Sequence, residues 1–266
     1  MAASHRSATA LRLTARRLAT LLAAGALLAG IQAGAATAAI WAGGFETANL
    51  LQWDAVEAVP GDITLVHSPV RTGIWAGKFV VHPGDSPVGS GERTEVDHFS
   101  HERAGIASWW AWSTYFPTGL YSPRYTKMNV FAQWHPWHSH LKPNVSFTVM
   151  NWSRTSAPFL KMMVRGGRPT SPRVHSWRLG SLHRNAWYNF VLRVVWYPDN
   201  RGRVKLWVNR RLVVPLTGIP TFWTPVGQVY VKQGLYRGSF SQSSVVYQDA
   251  MRRGRTLTSI APPAGA

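Results

Sequence analysis

Three short stretches hold the residues whose types and spacing suit chemistry. The first is Tyr230-Val231-Lys232-Gln233-Gly234-Leu235-Tyr236-Arg237. Alternate side chains of a strand share a face, so Tyr230, Lys232, Gly234 and Tyr236 line one side and Val231, Gln233 and Leu235 the other. Two phenols and an ammonium around a glycine gap suit a groove in which something anionic lies close to the backbone at Gly234. Lys232 and Arg237 flank Tyr236, and nearby cations favour a phenolate over a phenol whose reference pKa is about 10. The second stretch is Glu92 to Asp97, where Arg93, Glu95 and Asp97 share a face by parity. An arginine between carboxylates is ordinarily a structural ion-pair cluster. It is also the way a guanidinium fork is aimed at a carboxylate. The third is Asn129 to His135, in which Asn129, Phe131, Gln133 and His135 share a face and His135 ends the strand before Pro136. An amide and an imidazole side by side can hold a carboxylate and move a proton. His138 and His140 follow, but cysteine and nearby carboxylates are absent, and the spacing matches no usual zinc pattern.

These stretches need strands to hold them, and the chain supplies them. Short runs of β-branched and aromatic residues, broken by Gly, Pro, Asn and Asp, recur at near-regular spacing from Ile63 to Arg252. Ala186 to Trp196 alternates cleanly, and its face of Tyr188, Phe190, Leu192, Val194 and Trp196 is wholly apolar and reads as core. Val204 to Val208 followed by Asn209-Arg210-Arg211 reads as strand, turn and strand. No window shows a helical period. Around a dozen such strands predict an all-β fold, a jelly-roll sandwich of two antiparallel sheets.

Residues 1–38 read as a secretory signal: Arg6, Arg12, Arg16 and Arg17, a short Ala/Leu-rich run from Leu18 to Ile31, and Ala36-Thr37-Ala38 as a cleavage site. The apolar run falls short of the ~20 residues a membrane span needs. Residues 39–255 then form one domain, and 256–266, rich in Pro and Ala, form a loose tail. The chain lacks cysteine, so an exported domain must rely on its core alone. The signal holds four of the 29 basic residues and none of the 11 acidic ones, which leaves the mature chain at +14 with His neutral. So strong a bias favours a polyanionic partner: acidic polysaccharide, cell-wall polymer or extracellular DNA.

Arg-Thr-Glu at 93–95, Gln-x-His at 133–135 and Tyr-x-Lys-x-Gly-x-Tyr at 230–236, in that order, resemble the jelly-roll (concanavalin-like) polysaccharide lyases of the alginate lyase, glucuronan lyase and heparin lyase I type. Gly44-Phe45-Glu46, Trp112-Ser113-x-Tyr115-Phe116-Pro117, Trp207-Val208-Asn209 and Val246-Tyr247-Gln248-Asp249 resemble the heparin-lyase-I-like and glucuronan-lyase-like branch. The resemblance implies β-elimination on a uronic-acid polysaccharide. It makes His135 and Tyr236 the proton-moving pair, Arg93 and Gln133 the groups that neutralise the uronate carboxylate, and Lys232 a contact to the anionic chain, with Arg237 beside it. Tyr230 has no part in that chemistry. Arg237-Gly238 stands where alginate lyases have Asn-Gln, and Val96-Asp97 where they have Leu-Arg, which weighs against alginate. No cofactor is required, although Glu46 and Asp249, near the two ends of the domain, are a candidate structural calcium pair. The expected protein is a secreted monomer whose partner is acidic polysaccharide, neither nucleic acid nor membrane. Two alternatives stay open. A non-catalytic binding module for acidic sugars needs no His/Tyr pair. A glycoside hydrolase needs two carboxylates flanking the bond, but after Glu95 and Asp97 the next acid, Glu102, has the wrong parity. DNA binding lacks any recognisable motif.

Overall fold

Alternating strands that are apolar on one side bury that side against a second sheet, and the chain is built from two such sheets. The computed structural model describes residues 38–119, 129–151 and 157–261. The expected signal lies outside the described residues.

One sheet has seven strands: β2 (Ala55–Glu57), β5 (Glu92–Glu102), β7 (Asn129–Pro136), β8 (Val145–Met150), β9 (Phe159–Arg168), β10 (Ser171–Ser181) and β14 (Val229–Arg237), in the order β10-β9-β8-β7-β14-β5-β2. The other has eight: β1 (Trp41–Gly43), β3 (Ile63–Val66), β4 (Ala76–Val81), β6 (Ala107–Tyr115), β11 (Trp187–Val195), β12 (Arg203–Val208), β13 (Arg211–Gly218) and β15 (Ser244–Gly254). It runs β13-β12-β11-β6-β15-β4-β3, with β1 also on β15. Every pairing between these strands is antiparallel. The jelly-roll sandwich read from the sequence is the fold.

Between the sheets lies an aromatic core. Trp134 of β7 meets Trp110 and Trp112 of β6 edge-on, each at 5.4 Å, and Trp112 stacks on Phe190 at 4.8 Å. The apolar face of β11 is buried from Tyr188 to Val194, and Trp196 is buried just beyond it. The β12–β13 turn turns through left-handed Asn209 and Arg210.

Parity fails at one place. Phe131 is buried in the core against Phe116 and Phe147, not on the face of Gln133. The β7–β8 register slips between Val130 and Ala132, a bulge that puts Phe131 and, before it, Asn129 on the inner face, where Asn129 is opposite Val149 and Arg237. The tail also departs from expectation: Thr258–Ile260 forms a 3-10 turn and Ile260 is buried, so the fold continues past residue 255.

Candidate active site

On the outward face of the seven-stranded sheet, β5, β14 and β7 lie side by side, and their register brings the three stretches together. Lys232 pairs with Asp97 on one side and Gln133 on the other. Tyr236 is opposite Arg93, and Tyr230 is opposite His135. His135 and Tyr236 therefore stand at opposite ends of a gap whose floor is Lys232 and Gly234.

The floor is a closed charge network. Arg93 Nη1 donates to Glu57 Oε2 at 2.7 Å and to Glu95 Oε2 at 3.4 Å, and its Nη2 is held by Ser90 O and Ser90 Oγ. The ammonium of Lys232 lies 2.5 Å from Glu57, 3.6 Å from Asp97 and 3.9 Å from Glu95. Gln133 Nε2 donates to Glu95 Oε1 at 2.7 Å. Two cations thus face three carboxylates, and Arg93, Glu95, Asp97, Gln133 and Lys232 are all buried. Burial opposes the charge of Lys232, but Glu95 and Asp97 outweigh it and hold its pKa above the ordinary lysine value. Burial likewise opposes charge on Glu57, and Lys232 and Arg93 overcome it, leaving Glu57 below its usual value. Asp97 goes the other way. Burial pushes it up to about 8 against the pull of Lys232, with Glu57 and Glu95 adding to the rise. At neutral pH it keeps its proton, and the network is balanced at two charges of each sign.

The two proton-moving candidates are more open. Nδ1 of His135 lies 3.0 Å from Pro136 O, a contact that assigns Nδ1 as donor and leaves Nε2 with its lone pair. Burial, helped by Lys232 and Arg93, lowers His135 to about 4, so the ring is neutral at physiological pH. The ring of Tyr236 carries the Arg93 guanidinium 4.3 Å from its centroid. Its other neighbour is Gly91, where an added Cβ would come 2.5 Å from Tyr236 Cε2. At the far end of the gap the Tyr230 ring lies 5.8 Å from that of His135 and packs on Trp137 and Phe99. Burial raises Tyr230 to about 12, which keeps it a phenol.

Several expectations need correction. Arg237 is fully buried between the sheets, where its guanidinium bonds Glu92, Ser244 Oγ and Val81 O; no part of it reaches a substrate. Lys232 contacts protein carboxylates first, and the nearest of them, Glu57, is the more exposed partner. Gly234 is required by the backbone: it has φ 146°, and a Cβ there would strike Thr94 O of β5. Glu102 turns inward onto Arg253, away from the face of Glu95 and Asp97, as its parity predicts. His138 and His140 are exposed, and among the described residues no group of three or more His, Cys, Asp or Glu is arranged to hold a metal ion. Glu57 is the site residue that sequence reasoning missed. Its strand has three residues and no period to read; its one signal is that acids are scarce in this chain.

Glu46 and Asp249 do converge, on the loop that follows β3. Asp249 Oδ2 accepts Arg71 N and Thr72 N, and Glu46 accepts Ile74 N and Trp75 N. Among the described residues neither makes a salt bridge. Burial, with Glu46 adding to it, holds Asp249 up at about 6 despite the N–H donors.

A histidine whose Nε2 keeps its lone pair, a tyrosine under a guanidinium and a buried carboxylate–cation floor thus lie together on one face of a jelly-roll sheet. The model of the polysaccharide lyase family matches residues 45–252, and the chain belongs to that family. It is a polysaccharide lyase. No curated protein matches it. Among solved structures it is similar to the endo-β-1,4-glucuronan lyase of the fungus Trichoderma reesei, with 20% identity over 79% of this chain and 94% of that one and a TM-score of 0.66. It is also similar to the alginate lyase AlyC3, with 12% identity over 67% and 74% and a TM-score of 0.52. A third is the alginate lyase PA1167 of Pseudomonas aeruginosa, with 17% identity over 68% and 83% and a TM-score of 0.50. These likenesses are of fold.

Proposed function

We propose that the protein is a secreted, monomeric lyase that cleaves a uronic-acid polysaccharide by β-elimination, with glucuronan the first polymer to test. The observation that supports this most is the placing of His135, neutral at physiological pH, at one end of the Lys232–Gly234 floor and of Tyr236 at the other. Elimination transfers the C5 proton to a base. The C5–H electron pair becomes the C4=C5 double bond, and the C4–O pair leaves with the glycosidic oxygen, which takes up a proton. His135 offers the acceptor, Nε2, and Tyr236 the hydroxyl. Arg93, Gln133 and Lys232 receive the uronate carboxylate as Glu57 gives way. Charge drawn into that carboxylate makes the C5 proton removable and stabilises the enolate-like transition state. Calcium held by Glu46 and Asp249 supplies no step; its part is to neutralise two carboxylates at the meeting of the domain's ends.

Incubation with glucuronan, alginate, heparin and heparan-type polymers should raise absorbance near 235 nm, where unsaturated uronates absorb. New reducing ends without that rise would point to hydrolysis, and binding without either to a module. His135→Ala and Tyr236→Phe should each lower kcat by at least ~100-fold with the fold intact, the scale of losing a general acid or base. Full activity in both would defeat the assignment.

A further inference from the structure

Of the four buried cationic side chains among the described residues, three are paired with carboxylates: Arg93 and Lys232 in the floor, and Arg237 with Glu92. The fourth is Arg165 of β9, and it has no carboxylate. Its Nη1 donates to Pro143 O at 3.1 Å and Ser146 Oγ at 3.2 Å, both neutral, and its Nη2 faces only Met163 Sδ at 3.6 Å. Burial alone sets its electrostatics, and it lowers the pKa. A guanidinium has five N–H donors in a planar fork, and taking one out of water without a counter-charge costs free energy that a bound anion recovers.

Position says which anion. Gln133 pairs with Ser146, and Ser146 with Met163, so these side chains share the outward face of the site. Arg165 is two residues beyond Met163 and bonds Ser146 itself. Trp134, Val145 and Val164 form one cross-strand row, so Arg165 is level with His135, two strands away. At ~4.8 Å between strands that is about 10 Å across the sheet. Lys161 lies on the same face of β9, opposite Arg178 of β10. Among the described residues neither forms a salt bridge. Moving outward from the floor, the sheet thus passes from balanced charge to unbalanced positive charge.

We propose that Arg165 forms a second anion subsite that takes the carboxylate of a neighbouring sugar on the same polymer chain, with Lys161, four residues back along β9, and Arg178 opposite it continuing the positive face. This rests on the lyase reading for the name of the ligand, though not for the existence of the subsite. The floor receives the carboxylate where the bond breaks, and Arg165 holds the chain in register beside it. The contact is made equally in ground and transition states, so it sets affinity rather than turnover.

Arg165→Gln should raise KM for a uronate polymer about ten-fold and leave kcat within about two-fold. Its binding should also fall less steeply with salt than the wild type's, since one phosphate-like contact has gone. Lys205→Gln, which removes a charge from the opposite sheet, should leave KM unchanged and serves as the control. Affinity electrophoresis of the same variants in gels holding glucuronan or its carboxyl-reduced neutral form separates the two proposals. If the wild type cleaves no uronate polymer, the lyase reading fails while weaker retention of Arg165→Gln by the acidic polymer alone still supports the subsite. Unchanged retention of a folded Arg165→Gln overturns it, as does equal loss on the neutral polymer, which marks Arg165 as a strut for the Pro143 turn. Should Arg165→Gln not fold, the wild-type Arg165 Nε–H resonance decides: it should shift on titration with a uronate oligosaccharide, and no shift at saturation overturns the proposal.

Discussion

In the proposed reaction Glu57 occupies the place the substrate carboxylate would take. It bridges Arg93 and Lys232 at 2.7 and 2.5 Å and keeps partial solvent access. Removing its charge leaves the two cations free on their solvent side. Glu57→Gln should therefore tighten polyuronate binding several-fold while lowering stability by roughly 1–3 kcal/mol, because Lys232 loses its nearest anion. Calorimetric binding and urea unfolding on one preparation test both halves; weaker binding would show that Glu57 positions the cations and does not mask them. Asp97 and His135 give the site its pH window. Burial places Asp97 at about 8, above its unfolded value of ~3.9. Its contribution to stability is therefore full below ~4 and is lost as pH rises through 8. His135 is depressed to about 4 from ~6.5, so its contribution is present above ~6.5 and is lost as pH falls through 4. For activity, protonation of His135 removes the base below about pH 4 and ionisation of Asp97 adds a charge beside Lys232 above about 8. KM should rise on the alkaline side, and Asp97→Asn should flatten that limb. A limb unchanged in the variant assigns it to another group.

The bulges in β7 and β14 are held by a side chain from the opposite sheet. Gln248 of β15 donates through Nε2 to Phe131 O at 3.0 Å and Gly234 O at 3.1 Å, and its Oε1 accepts from Gln233 Nε2 and Thr114 Oγ1. Each of these groups is buried and would otherwise lack a partner at the point where the ladder breaks. Gln248→Leu should cost about 2–4 kcal/mol from several orphaned groups, with kcat reduced because Gln133, His135, Lys232 and Tyr236 flank those bulges. Chemical unfolding with parallel kinetics checks it, and loss of stability with unchanged kcat would mean that the bulges do not position the site. Period two was enough to read the strands, the apolar face of β11, the shared face of Arg93, Glu95 and Asp97, and that of Tyr230, Lys232 and Tyr236. It cannot reveal a bulge, and parity alone therefore puts Phe131 on the face of Gln133. Nor could it distinguish a cation aimed at solvent from one folded back onto carboxylates, which is where Arg237 and Lys232 differ from expectation. Those outcomes depend on which strands become neighbours, and that information is spread over residues more than a hundred positions apart.

At the scale of the molecule, six of the 11 acidic residues (Asp62, Glu92, Glu95, Asp97, Glu102 and Asp249) are buried. The surface is thus more basic than the net charge suggests, in keeping with a polyanionic partner. Asp249 differs from most of these: among the described residues it has no salt bridge, and it lies beside Glu46, from the start of the domain. Without a cation, its pKa of about 6 means that its contribution to stability declines as pH rises from ~3.9 through 6. Calcium bound between the two carboxylates would reverse that trend, since the ion would bind only the ionised form and stabilise the folded state by mass action. EDTA should therefore lower Tm by several degrees at pH 7.5, added Ca²⁺ should restore it, and the effect should fade as pH falls through 6. Asp249→Asn should abolish the EDTA effect while leaving the Lys232 cluster and its kinetics in place. A Tm indifferent to EDTA at every pH would leave backbone N–H groups, those of the loop and that of Ala250, to satisfy Glu46 and Asp249 and remove calcium from the account.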